Sequence, residues 1–163
     1  MKNYPKHIKS TLHSVIRDMA KHPEDFCYCP KKDFTRKRKL PFEKVLTLLV
    51  KMGGHSLRDE MLDCPDFKKK TASVSALVQQ RSKILPEALE HLFHKFTDCC
   101  HRPKLYKGYR LLAVDGSDLH FTPDPNDPLC YFPGANGQKP YSFLHLNALY
   151  DLNSNLYLDA VIQ

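Results

Sequence analysis

The first hundred residues repeat apolar positions at the spacing of amphipathic helices. Between Ile8 and Met19 the apolar side chains fall at i, i+4, i+7, i+8 and i+11, which places one apolar stripe on a first helix that ends before Pro23. Four further helices are predicted, and each begins at a residue type that caps or starts helices: Pro41, Ser56, Thr71 or Ser73, and Pro86. Residues 27–40 show no period and carry many basic side chains, so they are expected to be a connector or arm. The pattern indicates a helical bundle over residues 1–105.

After the bundle the pattern changes to that of a β-sheet. Residues 111–114 form a short continuous apolar run, and residues 142–150 and 156–162 alternate apolar and polar side chains. These segments predict three strands, of which the last two pair as a hairpin across a polar turn. The expected fold class is therefore α+β, with a helical domain over residues 1–105 and a sheet domain over residues 106–163.

Residues 122–140 separate the first two predicted strands and are rich in proline, asparagine and glycine. This composition disfavours regular strand pairing, so the segment is predicted to be a surface loop. A three-stranded sheet also leaves one face in need of cover. We therefore expect the sheet domain to be the front part of a larger domain in a longer protein.

Charge differs between the two parts of the chain. There are 25 Lys and Arg against 18 Asp and Glu, and residues 1–110 hold 24 of the basic and 12 of the acidic side chains. Residues 111–163 hold one basic and six acidic side chains. The basic part suggests a polyanionic partner, most often nucleic acid, and the acidic part suggests divalent cations. Solvated surface charge explains either part equally well.

The six cysteines match no disulfide framework of secreted proteins, and the N-terminus lacks the apolar core of a signal peptide. One residue separates Cys27 from Cys29, whereas zinc fingers usually have two between such cysteines, so a zinc site is not favoured. The most apolar stretch, residues 45–50, is far shorter than the roughly 20 residues of a membrane span. We expect reduced thiols, a cytoplasmic location and no membrane partner.

Asp115 is the first candidate for chemistry, because it directly follows an apolar run. A carboxylate at the end of a buried strand is held rigidly with its oxygens at an open edge, which suits a hard divalent cation. Asp115-Gly116 is also a strong signal for a two-residue hairpin turn, and taken alone this is the simpler interpretation. Asp118 and His120 are near enough in sequence to add ligands, but Asp118 would point to the opposite face of a strand from Asp115.

Three polar residues of the predicted hairpin have structural explanations. His145 lies on an alternating strand and is expected to be a core or edge histidine. Asp151 is expected to cap a backbone amide of the turn, and Asp159 is expected on the solvent face.

The second candidate is a DNA-contacting surface on the third and fourth predicted helices. A short capped helix, a turn and a second helix with exposed polar side chains resemble a helix-turn-helix, in which amide and guanidinium groups read base edges while lysines contact phosphates. A soluble helix with a polar face is the alternative. The residues assigned to this surface are Lys68, Lys69, Lys70, Ser73, Ser75, Gln79, Gln80, Arg81 and Lys83.

Three segments in combination resemble the N-terminal half of an insertion-sequence transposase of the DDE type, whose catalytic domain has the RNase H-like fold. They are LLAVDGSDLHF, HLNALYDLNSNLYLDAVIQ and, upstream, DFTRKRKLPFEKVLTLLVKMGG with SLRDEM. The resemblance runs from about residue 30 to the C-terminus. It implies that Asp115 is the first acid of the catalytic triad and a metal ligand, that residues up to about 105 bind the DNA ends, and that the sheet supplies the first three strands of the RNase H-like domain.

The resemblance also implies a cofactor. In the family, the acids hold two Mg²⁺ ions about 3.5–4 Å apart; one activates water or a 3′-hydroxyl, and the other stabilises the leaving 3′-oxygen. The family's second Asp and its Glu come from later elements, and Asp151 and Asp159 do not take their places. Because one carboxylate cannot assemble such a site, the chain by itself is expected to be inactive in strand cleavage.

Three functions remain open from the sequence. The first is a truncated DDE transposase that binds double-stranded DNA at element ends, with full-length transposase or a second copy of itself as further partners. The second is a non-catalytic DNA-binding regulator that competes with full-length transposase for those ends. The third is a different RNase H-like nuclease, which would show no preference for one end sequence.

Overall fold

A computed structural model describes residues 4–36, 38–63 and 72–163. The chain divides into two compact units, Met1–Cys100 (unit 1) and His101–Gln163 (unit 2). Unit 1 is helical and unit 2 is an antiparallel sheet, so the predicted α+β class is confirmed. The division lies at residues 100/101, whereas the sequence pattern placed it at 105/106.

The described part of unit 1 contains five α-helices, which are α1 (Tyr4–Met19), α2 (Phe42–Lys51), α3 (Leu57–Asp63), α4 (Val74–Arg81) and α5 (Glu87–Cys100). The five predicted helices are all present. At the start of α4, Ser73 acts as the N-cap, since its Oγ accepts a hydrogen bond from the amide of Ala76 at 3.2 Å. The choice between Thr71 and Ser73 as the cap is thereby decided for Ser73.

The core of unit 1 forms around α2, because five of the ten residues of this helix are buried. Val45 and Leu46 are completely buried, and they belong to one apolar cluster with Ile16 of α1 and Leu77 of α4. α1 also packs against α5, and α3 packs against α4. Burial of these side chains provides the main stabilisation of the unit and fixes α4 against α2.

The basic segment of residues 27–40 is held at both ends rather than extended as an arm. Cys27 forms a β-bridge with Ile84, and Leu40 is buried in the core cluster. Between these anchors the chain turns, and the buried carboxylate of Asp33 accepts the amide N–H of Cys29 at 3.1 Å. The described residues of the segment therefore form a fixed loop, the basic loop, because apolar side chains anchor its ends.

Unit 2 is a sheet of four antiparallel strands, which are β1 (Leu112–Phe121), β2 (Tyr131–Phe132), β3 (Tyr141–Asp151) and β4 (Leu156–Ile162). β3 is central: β1 pairs along one of its edges, while β2 and β4 pair with the other edge at opposite ends. The predicted hairpin between β3 and β4 is confirmed.

The hairpin-turn interpretation of Asp115-Gly116 is wrong, because β1 continues through both residues as far as Phe121. Gly116 instead leaves room for the imidazole ring of His145 on β3. A Cβ atom at this position would lie 2.7 Å from Nε2 of His145, too near for any other residue without displacement of the histidine. β1 was also expected to be buried, but nine of its ten residues are exposed.

Residues 122–140 were predicted to be a loop without regular pairing, and this is wrong for Tyr131 and Phe132. These two residues form β2 opposite Tyr141 and Ser142. The phenyl ring of Phe132 stacks on that of Phe143 with 4.8 Å between centroids, and aromatic stacking of this kind stabilises strand pairs.

Candidate functional site

Asp115 lies in the middle of β1 and faces Ala148 of β3. Its side chain is exposed, and its Oδ1 accepts the amide N–H of Gly116 at 3.0 Å. It was expected at the end of a buried strand, so both its position and its surroundings differ from that expectation. The carboxylate nonetheless sits on a paired strand, which fixes its backbone.

The other acids of the three long strands lie on the opposite face of the sheet from Asp115. Asp118 is three residues further along β1, and Asp151 pairs with Leu112, which is three residues before Asp115. Asp159 pairs with Leu149, whose partner on β1 is Val114, next to Asp115. Because successive strand residues point to opposite faces, none of the three carboxylates shares the face of Asp115.

This arrangement bears on the Mg²⁺ ion that the resemblance implies. Mg²⁺ keeps several waters but is held in proteins by more than one carboxylate or by a carboxylate together with substrate phosphates. Asp115 provides one carboxylate, which is too few for the two-ion site that the resemblance implies. Among the residues that the structure describes, no group of three or more His, Cys, Asp or Glu side chains is placed to hold a metal ion.

Asp118 pairs with His145 across β1 and β3. Nδ1 of His145 lies 2.7 Å from Oδ1 of Asp118, and both side chains are a little under half exposed. His120 faces Phe143 on the same side of the sheet, with 5.9 Å between ring centroids. Asp118 is therefore paired with His145. Asp118 and His120 both lie on the opposite face of the sheet from Asp115.

Asp151 is completely buried and organises the turn between β3 and β4. Its Oδ1 accepts the amides of Asn153 and Ser154, each at 3.0 Å, as expected for a turn-capping aspartate. Its Oδ2 lies 3.2 Å from Nε2 of His101 and 3.5 Å from Nη2 of Arg110. The hydrogen bond from Ser154 is the main cause that holds the pKa of Asp151 well below its usual range, and burial acts in the opposite direction.

The second predicted surface is only partly described. Lys68, Lys69 and Lys70 lie outside the described residues, as does the turn that a helix-turn-helix would need between α3 and α4. The remaining assigned residues are on α4 or at its ends. Those that are exposed are Ser73, Ser75, Gln79 and Arg81.

Gln80 was expected on the exposed face of α4, and this is wrong because it is 6% exposed. It lies three residues after the core residue Leu77, so the helical repeat brings both side chains to the same side. Its Oε1 accepts a hydrogen bond from Nζ of Lys83 at 3.2 Å. Lys83 follows the helix and is partly buried, with 29% of its side chain exposed.

Side chains of the basic loop also gather near the end of α4, and apart from Lys83 the cations found there had no role in the sequence predictions. A cavity of about 350 Å³ lies between the basic loop and the end of α4. Its cationic lining residues are Lys31, Lys32, Arg36, Arg38 and Lys83. The dense run of Lys and Arg before Leu40 could have indicated this cluster from the sequence. The contact between that run and Lys83 depends on the tertiary fold and could not have been predicted.

The observed boundary changes the charge contrast between the parts. Unit 1 holds 20 basic and 12 acidic side chains, whereas unit 2 holds five basic and six acidic. Four of the basic residues counted with the helical part in the sequence pattern are in residues 101–110, at the start of unit 2. Unit 1 is therefore the strongly basic part, and unit 2 is near neutral.

The described cysteines form no disulfide with one another, and Cys27 and Cys100 are buried. Burial raises the pKa of the Cys27 thiol to about 11, so this thiol is poorly suited to react as a thiolate. Within residues 4–36, 38–63 and 72–163, no helix is long and apolar enough to cross a membrane.

The chain matches no protein-family model, no curated protein and no solved structure.

Proposed function

We propose that the chain is the DNA-binding part and the first strands of the catalytic domain of a DDE-type insertion-sequence transposase, and that in this form it binds element-end DNA without cutting it. The observation that carries the proposal is the combination of a basic helical unit with an acid, Asp115, on the first long strand of an antiparallel sheet. The expected order of that strand and the following hairpin is present in unit 2.

DNA binding is assigned to unit 1 because of its charge. An excess of eight positive charges over 100 residues favours a polyanion, and α4 presents hydroxyl, amide and guanidinium groups in its exposed positions. Arg81 and Gln79 are the residues proposed to reach base edges. Gln80 is buried, so its proposed part is to hold Lys83 rather than to read a base.

Cleavage is not proposed for this chain by itself. Among the strand residues that the structure describes, no second carboxylate shares the face of Asp115, because Asp118, Asp151 and Asp159 all project from the opposite face. The same observation favours the alternative function, a non-catalytic regulator that competes with full-length transposase for the ends, since binding without cleavage is what a competitor needs. A different RNase H-like nuclease is disfavoured by it.

The Asp115→Asn variant tests the division between binding and cleavage. We expect the wild-type chain and the variant to bind a 30-base-pair duplex with affinities within about twofold, because unit 1 makes the contacts. Neither protein should nick supercoiled plasmid in the presence of Mg²⁺. Binding is measured by fluorescence anisotropy, with one duplex taken from the DNA that flanks the coding sequence and one of scrambled sequence.

Two results would contradict the proposal. Mg²⁺-dependent nicking by the wild-type chain that is lost in the variant, with both proteins purified in parallel, would show that the sheet assembles an active site. Absence of binding to either duplex at low salt would show that unit 1 is not a DNA-binding domain.

A further inference from the structure

The basic loop and the end of α4 enclose a cavity whose lining is strongly positive. Among the described residues, five cationic side chains and one carboxylate, that of Asp33, line the cavity, which leaves an excess of four positive charges. The volume of about 350 Å³ is near the lower end of the range for small-molecule pockets, about 300–1,000 Å³. A phosphate group and the sugar attached to it are of suitable size.

Asp33 does not neutralise the cavity. Asp33 is 7% exposed, and its Oδ2 accepts the amide N–H of Cys29 at 3.1 Å. Its Oδ1 lies 4.0 Å from Nζ of Lys83, which is a long ion pair. The Asp33 carboxylate therefore stabilises the turn of the basic loop and contacts one lysine, Lys83. It does not neutralise the other four cations of the cavity.

The remaining cations have no counter-charge in the described structure. Lys31, Lys32, Arg36 and Arg38 form no ion pair within residues 4–36, 38–63 and 72–163. Like charges held together by a folded loop repel one another, and an anionic ligand relieves that repulsion. Guanidinium groups match phosphate oxygens with two parallel hydrogen bonds, and lysines add mobile point charges.

Two contacts preorganise the cavity wall. Lys83 is held by the buried Gln80, and its Nζ lies over the ring of Phe34, 5.9 Å from the centroid. Phe34 has a φ of 54°, a left-handed conformation that is rare for a bulky residue, and its ring packs edge-on against Phe42. Non-glycine residues in this region cluster at ligand sites, where the surrounding structure compensates for the strain.

A second cavity adjoins the first and extends towards the start of α4. It has a volume of about 770 Å³, shares Arg38, Leu40 and Gln80 with the first cavity, and includes the N-cap residue Ser73 in its lining. A strand whose phosphate occupied the first cavity would therefore pass close to α4. This is the helix whose exposed side chains are proposed to reach the bases.

We infer that the cavity between the basic loop and Lys83 binds a phosphate group and that it anchors the backbone of the bound DNA. The identification of the phosphate as that of DNA rests on the proposed function. Arg36 and Arg38 are the proposed bidentate ligands, and Lys83 is the proposed lysine contact at the inner wall. Such contacts set the register of a protein on DNA without sequence preference.

The test compares two double variants of the full chain with equal loss of charge. Arg36→Gln/Arg38→Gln removes two cavity cations, and Arg17→Gln/Arg58→Gln removes two exposed cations outside the cavity. The cavity variant should bind the scrambled duplex at least about tenfold more weakly and show a salt slope smaller by about one to two. The control should change affinity by less than about threefold. Lys31→Gln/Lys32→Gln should also weaken DNA binding, because these lysines line the same cavity. Circular dichroism checks the fold of each variant.

A second arm separates DNA from free phosphate as the source. The midpoint of thermal unfolding is measured in inorganic phosphate and in chloride at equal ionic strength. Phosphate should stabilise the wild type and not the cavity variant, and this result supports the phosphate site. The same result without any binding of the duplex would support the phosphate site and contradict the proposed function. Equal losses of DNA affinity in the cavity and control variants would overturn the cavity and leave DNA binding standing. Phosphate stabilisation equal in wild type and cavity variant, without a selective loss of DNA affinity, would also overturn it.

Discussion

Raising the salt concentration from 50 to 200 mM should weaken binding of the full chain to a scrambled 30-base-pair duplex by about 500-fold. The figure follows if about five phosphates are contacted, because each contact releases condensed counterions and contributes about −0.9 to the slope of log affinity against log salt. Unit 1 supplies the cations for such contacts, with 20 basic against 12 acidic side chains. Fluorescence anisotropy at five or six salt concentrations measures the slope.

An osmotic control separates ions from general solute effects. Sucrose at the osmolality of the highest salt point should leave the affinity within about twofold of the low-salt value, since it releases no counterions. A slope near zero would contradict the assignment of binding to the basic unit, because contacts without phosphates would then carry the affinity.

Replacement of Asp151 by alanine should cause the largest loss of stability among single substitutions in unit 2, with a fall in the unfolding midpoint of more than about 5 °C. The variant leaves two turn amides without their acceptor and removes the buried partner of His101 and Arg110. Asp151→Asn should lose less, because its amide oxygen can still accept from Asn153 and Ser154. Thermal unfolding followed by circular dichroism measures each midpoint.

The exposed Asp115 provides the matched control, and Asp115→Ala should shift the midpoint by no more than about 2 °C.

The lowered pKa of Asp151 also predicts a pH dependence of stability. Its contribution to stability is complete above the pKa of an unfolded aspartate, about 3.9, and is lost as the pH falls from there through the lower pKa of the folded state. The wild type should lose stability below about pH 4 more steeply than Asp151→Asn, and equal pH profiles would show that the carboxylate charge does not stabilise the turn.

Local patterns were sufficient for most elements of the fold. The helices were predictable because their apolar residues repeat at 3.6-residue spacing, and the β3–β4 hairpin because alternation flanks a polar turn. The strand through Asp115-Gly116 was not predictable from local signals, because Asp-Gly is a turn signal. The pairing that overrides this signal is with β3 residues about 30 positions later in the chain. Tyr131 and Phe132 were missed because the proline, asparagine and glycine residues around them signal turns, although their partners Ser142 and Tyr141 are only about ten residues away.

The arrangement of the candidate sites depended on contacts between distant residues. Alternation along one strand was enough to predict that Asp118 lies on the opposite face of the sheet from Asp115. The face of Asp159 depends on the pairing register of two further strands, which no local pattern specifies. The basic run before Leu40 was visible in the sequence, but its cavity needs Lys83, and Gln80 could not be placed because α4 is only about two turns long.

Hydrogen exchange of the full chain with and without a saturating duplex tests the assignment of DNA binding to unit 1, because it locates the DNA contacts along the sequence. We expect slower exchange in peptides from residues 28–40 and 73–83 of unit 1, with little change in β1, β3 and β4 of unit 2. Protection confined to the sheet strands, with none in the helical unit, would contradict the account.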